Sequence, residues 1–188
     1  RPYQTDGIEW IRAMWERHGT CFLAWDPGLG KSGAALKATP PEARLIIVCP
    51  EGVKKTWAVE IAKFRPDLVS RAESLSGRKS FKWPEPGCAV VLNTEIFPPR
   101  FRGCPDGVVV ISDESHQYSN VVARTQRLRV LIRESLKKNG RSLSMSGTPM
   151  WRDPAGLWCM YVTFQLAKLI WADPLGQPDY DAFCKDFG

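Results

Sequence analysis

The sequence predicts an α/β domain: a mainly parallel, doubly wound central sheet with helices packed on both faces, giving three layers. Two observations carry this. Five short runs, 20–25, 44–49, 89–93, 108–112 and 142–146, are rich in apolar or β-branched residues, and most are apolar without alternation. A strand that is apolar on both faces belongs in the middle of a parallel sheet covered from each side. Between these runs lie longer segments with apolar residues at three- and four-residue spacing, the period of a helix burying one face.

In chain order, 6–17 reads as a helix ahead of the first strand. A second helix, 31–38, follows a Gly-rich turn, a third spans 53–64, and a fourth spans 123–138. The stretch 75–87, where Ser, Gly, Lys and Pro succeed one another quickly, reads as an exposed loop. No internal repeat or low-complexity tract interrupts the pattern.

Composition narrows the class. A chain of 188 residues is long enough for one domain with a substantial core and short for two α/β domains. It is 44% hydrophobic and 24% charged, with no apolar run of the roughly 18 residues that a membrane span needs. No secretory leader is expected at its start, and an opening at Arg1 without Met suggests a segment of something longer. The six cysteines (Cys21, Cys49, Cys88, Cys104, Cys159, Cys184) form no C-x-x-C pair. They read as reduced, mostly buried thiols of an intracellular protein, cytoplasmic or nuclear according to its source, rather than as a zinc site or a disulfide framework. A net charge of +6 is compatible with a polyanionic partner without requiring one.

After the first strand comes Asp26-Pro27-Gly28-Leu29-Gly30-Lys31-Ser32, leading straight into the helix at 31–38. Strand, Gly-rich loop and helix in that order make a phosphate-binding loop. Gly28 and Gly30 let the backbone turn its N–H groups around phosphates, and Pro27 and Leu29 complete the loop. The helix presents its positive end, Lys31 can reach the β/γ oxygens, and the Ser32 hydroxyl can ligate Mg²⁺. Trp25 stands where the full eight-residue pattern has its first glycine.

About eighty residues on, the run 108–112 ends in Asp113-Glu114-Ser115-His116. A buried parallel strand delivers these carboxylates at its C-terminal tip, where open α/β sheets bind ligands. Asp113 suits an Mg²⁺ ion through its water shell, and Glu114, pointing elsewhere, suits the orientation and partial deprotonation of an attacking water. His116 reads as a hydrogen-bonding link from this site to the elements that follow, while His18 reads as a surface residue. Ser146-Gly147-Thr148-Pro149 closes the last strand, with hydroxyls that can bond near the acidic pair and a glycine that allows close backbone approach.

With Asp113-Glu114-Ser115-His116 in place, the chain 1–188 resembles, end to end, the first RecA-like lobe of superfamily 2 helicases, in details the Swi/Snf-like branch. Arg1-Pro2-Tyr3-Gln4 with Gly7 and Trp10 is similar to the opening motif, which implies that Gln4 contacts adenine. Cys49-Pro50 with Trp57 and Glu60, and Leu92-Asn93-Thr94-Glu95, resemble two motifs that face nucleic acid, which implies a track at Pro50, Glu51, Asn93 and Thr94. Ser146-Gly147-Thr148-Pro149 resembles motif III, which implies that His116, Ser146, Gly147 and Thr148 couple nucleotide state to that track. The segment 180–188 is similar to an aromatic stretch found after that motif. Trp25, Pro27, Tyr118-Ser119 and Met150-Trp151-Arg152 depart from the branch's usual residues.

The resemblance implies ATP with Mg²⁺ as nucleotide and cofactor, duplex DNA gripped through its backbone, and a second lobe that supplies an arginine for full turnover. Basic residues gather at 71–82 and 124–141 and could meet phosphates, or could form solvated faces. Other readings remain open at this point: a small-molecule kinase, a non-catalytic nucleotide- or DNA-binding module, and an RNA-directed relative.

Overall fold

The computed structural model describes residues 1–75, 81–98, 100–148, 154–170 and 177–187. Pro149, Met150-Trp151-Arg152, Gly188 and part of the 75–87 stretch lie outside the described residues. The strands are β1 (Thr20–Leu23), β2 (Arg44–Val48), β3 (Ala72–Ser74), β4 (Ala89–Leu92), β5 (Val108–Ser112) and β6 (Arg141–Met145). They form one six-stranded sheet in the order β1-β6-β5-β2-β4-β3, with every pairing parallel.

The absence of alternation in the central runs is explained by burial on both faces. In β2, Leu45 and Ile47 join one cluster while Ile46 and Val48 join the other; β5 divides Val109 and Ile111 from Val108 and Val110 in the same way. The helices α1 (Pro2–His18), α2 (Lys31–Ala38) and α3 (Lys54–Phe64) cover the first face through Ile11, Ala35, Leu36, Trp57 and Ile61. The second face is covered by α4 (Ala123–Leu136) and α5 (Pro154–Thr163) through Leu128, Leu131, Ile132 and Met160. Each such buried aliphatic side chain contributes about 1.5–3 kcal/mol relative to exposure. Two shorter helices close the described chain, α6 (Ala167–Ile170) and α7 (Tyr180–Phe187), the latter packing Phe183 against Leu157 and Trp158.

Several expectations need correction. The first helix starts at Pro2 rather than at 6, because proline at N1 loses no bond there, so Gln4 is helical. It ends on Gly19 in the left-handed region, φ 71°. A short edge strand, β3, precedes the supposed loop; Ala-Glu-Ser carries no apolar run to announce it. That stretch is not uniformly exposed either: Leu75 is buried and donates its N–H to Val91 O at 2.9 Å, while Phe81 and Trp83 pack against Phe101. Of the cysteines, all free, only Cys21 and Cys49 are buried; the other four are partly exposed. No helix among the described residues is long and apolar enough to cross a membrane.

Candidate functional site

Because all six strands run the same way, the loops that leave their C-terminal ends share one edge of the sheet. There the turn after β1, the start of α2, the tip of β5 and the tip of β6 converge on a cleft of about 770 Å³. Gln4, Pro27, Gly28, Gly30, Lys31, Ser32, Asp113, Glu114, Gly147 and Thr148 all line it. Leu29, His116 and Ser146 do not line it but contact residues that do, Gln4, Glu114 and Thr148 respectively.

The loop between β1 and α2 owes its path to Gly28 and Gly30, at φ 82° and 86°, conformations that side chains with a Cβ rarely adopt. A Cβ on Gly28 would meet nothing within 4 Å, so the loop opens onto the cleft there. Gln4 holds the loop from α1: its Nε2 donates to Leu29 O at 3.0 Å, and the Tyr3 hydroxyl donates to the same carbonyl at 3.3 Å. Lys31 Nζ donates to the carbonyls of Trp25 and Asp26, at 2.7 and 3.1 Å. Trp25, which departs from the phosphate-loop pattern, packs edge-on against Tyr3 at 5.7 Å and fills the space above Gly7, where a Cβ would fall 2.3 Å from its ring.

Asp113 extends the β5 ladder, donating its N–H to Val48 O at 2.8 Å. Its carboxylate is fixed from two sides: Trp57 Nε1 donates to Oδ2 at 3.0 Å and the Glu114 N–H donates to Oδ1 at 2.9 Å. Burial raises its pKa from the usual 3.8, opposed by these two hydrogen bonds. Glu114 turns away through a left-handed conformation, φ 48° and ψ 49°, which costs energy in a residue other than glycine. His116 is the hub behind it. Its Nδ1 lies 3.2 Å from Glu114 Oε2, 3.1 Å from Ser146 Oγ and 3.4 Å from Thr148 Oγ1. The two hydroxyls thus approach the acidic pair by way of His116. Gly147 seats the β6 turn on the Gly-rich loop, since a Cβ there would lie 3.0 Å from Pro27 Cγ and Cδ.

The four residues expected to face nucleic acid lie outside the cleft but at the same sheet edge, after β2 and β4. Glu51 is exposed and Pro50 half-buried, whereas Asn93 and Thr94 are 6% and 9% exposed. Sequence reasoning left out Thr56 and Lys63 as cleft residues, and Glu60 entered only by resemblance. At four- and three-residue spacing the three occupy one face of α3, a polar stripe that periodicity could have marked. Phe64 also lines the cleft, with the ammonium groups of Lys63 and Lys37 at 4.9 and 5.5 Å from its ring centre. In the second basic region, Arg124, Arg127, Arg133, Lys137 and Lys138 are exposed along α4 and just beyond it.

No family model matches the chain. It is 32% identical over 170 residues to the Xenopus tropicalis SWI/SNF-related matrix-associated actin-dependent regulator of chromatin subfamily A-like protein 1, covering 84% of this chain and 16% of that protein. To the human DNA annealing helicase and endonuclease ZRANB3 it is 29% identical, covering 84% and 15%. To Helicase SWR1 of Saccharomyces cerevisiae it is 26% identical, covering 100% and 13%. The chain is a Swi/Snf-like homologue of the superfamily 2 helicase ATPase core.

The fold agrees with this Swi/Snf-like assignment. The Sulfolobus solfataricus SWI2/SNF2 ATPase core in complex with dsDNA superposes with a TM-score of 0.70 at 21% identity, over 98% of this chain and 38% of that one. The Pyrococcus furiosus Hef helicase domain gives 0.67 at 15% identity, over 88% and 36%. The Swi/Snf-like chain spans only about 13–16% of the length of these curated relatives.

Proposed function

We propose that this chain is the ATP-binding and hydrolysing lobe of a DNA-dependent motor, completed by a second RecA-like lobe in the intact protein. The observation that carries the proposal is the convergence, in one cleft, of a left-turning Gly-rich loop, a lysine, a serine hydroxyl and two carboxylates from a different strand. The volume suits a nucleotide, whose usual sites measure about 300–1,000 Å³.

The residues present fit the nucleotide and its metal. The amides at the start of α2, with Lys31, would hold the β/γ phosphates, exchanging the carbonyls of Trp25 and Asp26 for phosphate oxygens; Gln4 stands at the loop for the adenine edge. Ser32 and Asp113 supply hard oxygen donors. The ion would take its remaining ligands from phosphate and water. Bound Mg²⁺ would neutralise the charge that develops on the phosphate oxygens. Glu114, half exposed to the cleft and held by His116 Nδ1, would orient the attacking water and accept its proton. His116, Ser146, Gly147 and Thr148 form the connection from that carboxylate to the β6 turn. Pro50, Glu51, Asn93 and Thr94 would face the DNA backbone. An arginine for the developing charge would come from the second lobe, so the chain by itself should turn over ATP poorly. The relatives' names, including a DNA annealing helicase, and a structural neighbour solved with dsDNA, support duplex DNA as the track.

Phosphate release by the full-length protein, with and without duplex DNA, tests this. Stimulation by duplex that disappears in Lys31→Ala is the expected result. An unchanged rate with duplex DNA, single-stranded DNA and RNA alike would refute the DNA-motor reading, and robust turnover by residues 1–188 alone would refute the need for a second lobe.

A further inference from the structure

The first turn of α3 touches both halves of the proposed machine. Lys54 opens the helix and is 5% exposed. Its Nζ donates to Glu51 Oε2 and to Leu75 O, each at 2.5 Å, and to Asn93 Oδ1 at 3.2 Å. Trp57, 1% exposed, lies one turn on along the same helix face and donates its indole N–H to Asp113 Oδ2 at 3.0 Å. Sheet order makes this possible. β2 lies between β5 and β4, so the segment leaving it emerges with Asp113 on one side and Asn93 on the other. Backbone bonds fix both flanks: Asp113 N–H to Val48 O at 2.8 Å and Cys49 N–H to Leu92 O at 3.0 Å.

A buried ammonium is costly unless paired and hydrogen-bonded, and Lys54 uses all three of its protons. A leucine or methionine would fill that space without the cost. What the lysine adds is a fixed join between the turn after β2, the turn after β4 and the end of β3.

We propose that Lys54 and Trp57 are positioning residues that make the first turn of α3 a link between nucleotide and DNA sites, by way of Glu51 and Asn93 on one side and Asp113 on the other. This rests on the reading of those residues given under the proposed function. One helical turn is stiff, so a shift of Asp113 on nucleotide binding is carried through Trp57 to Lys54 and the DNA-facing turns.

Coupling between two sites is reciprocal and is measured as a ratio of affinities. In the full-length protein, the Kd for a fluorescent duplex is measured by anisotropy with and without Mg²⁺ and a non-hydrolysable ATP analogue. The wild-type ratio is expected to be on the order of 5–150-fold. Trp57→Phe, which keeps the ring and removes the N–H, should bring it within about twofold of one while its nucleotide-free DNA affinity stays near wild type, a split that a general loss of structure does not produce. Lys54→Met should abolish the ratio too, Lys54→Arg should restore much of it, and the double variant should lose no more than either single one. Should Trp57→Phe not fold, Lys54→Met, which should abolish the ratio, and Lys54→Arg, which should restore much of it, decide the matter. The link is overturned if the variants keep the wild-type ratio, if the two losses add, or if the wild type binds DNA with a ratio of one. Failure of the wild type to bind DNA at all overturns the nucleic-acid reading itself, and the link with it.

Discussion

Ser112 and Ser144 stand opposite each other across β5 and β6, both fully buried, and neither hydroxyl has a partner among the described residues. A buried hydroxyl without a hydrogen bond costs about 1–3 kcal/mol. Ser144→Ala should therefore leave stability unchanged or raise it by about 1 kcal/mol in urea unfolding, against the usual trend for core substitutions. A loss of that size instead would mean that the hydroxyls are bonded to internal water. Asp67 behaves in the opposite way. The Arg65 guanidinium grips both its oxygens, at 2.8–3.1 Å, and holds its carboxyl below the usual 3.8. A carboxyl with a lowered folded pKa adds stability above its unfolded value and loses it as pH falls through the folded one. Asp67→Asn should accordingly lower the urea midpoint at neutral pH, with the gap to wild type closing as pH falls below 3.8; a gap that stays constant with pH would discount the ion pair. Lys31, Ser32, Asp113 and Glu114 were legible as candidates from local spacing. Trp57 as the partner of Asp113 was not, because the two are 56 positions apart and no local pattern joins them.

At the scale of elements, the junction of α4 and β6 is set by Gly140, where a Cβ would lie 2.1 Å from Ser135 Oγ, 2.4 Å from Val108 O and 2.7 Å from Ser135 O. Two of those atoms are backbone, one in α4 and one in β5, so the helix end, that strand or the turn itself must shift to admit a methyl group. Gly140→Ala should cost more than about 2 kcal/mol by urea unfolding, at the upper end of what single substitutions cost. An effect under about half a kcal/mol would mean that the turn yields freely. The apolar strands and the three- and four-residue helical periods were readable because burial on one or two faces writes itself into sequence. β3 was missed because three residues at a sheet edge have no such signature.

For the whole molecule, the proposed track implies a backbone-reading grip whose strength depends on salt. Duplex affinity of the full-length protein should fall at least about tenfold between 50 and 200 mM salt, as expected for a handful of phosphate contacts, and differ little between unrelated sequences. A flat salt response would remove the backbone grip. Neutralising Arg124 and Arg127, both exposed on the first turns of α4, separates the two readings of that basic face. A phosphate-binding face loses about one unit of log–log salt slope per contact, and a solvated face loses none.

By itself the sequence determined the fold class, the Gly-rich loop between β1 and α2, the acidic pair and the helicase resemblance, because each is written in residues adjacent in the chain, where strand burial and turn chemistry act locally. Tertiary structure alone decided what meets across the sheet edge: Gly147 on Pro27, His116 between Glu114 and Ser146, Trp57 on Asp113, and Lys54 joining Glu51 to Asn93. The physical reason is strand order. β2 became the neighbour of both β5 and β4 through long connections, and the pairing that sets such neighbours depends on how whole faces pack, which no short window of sequence contains.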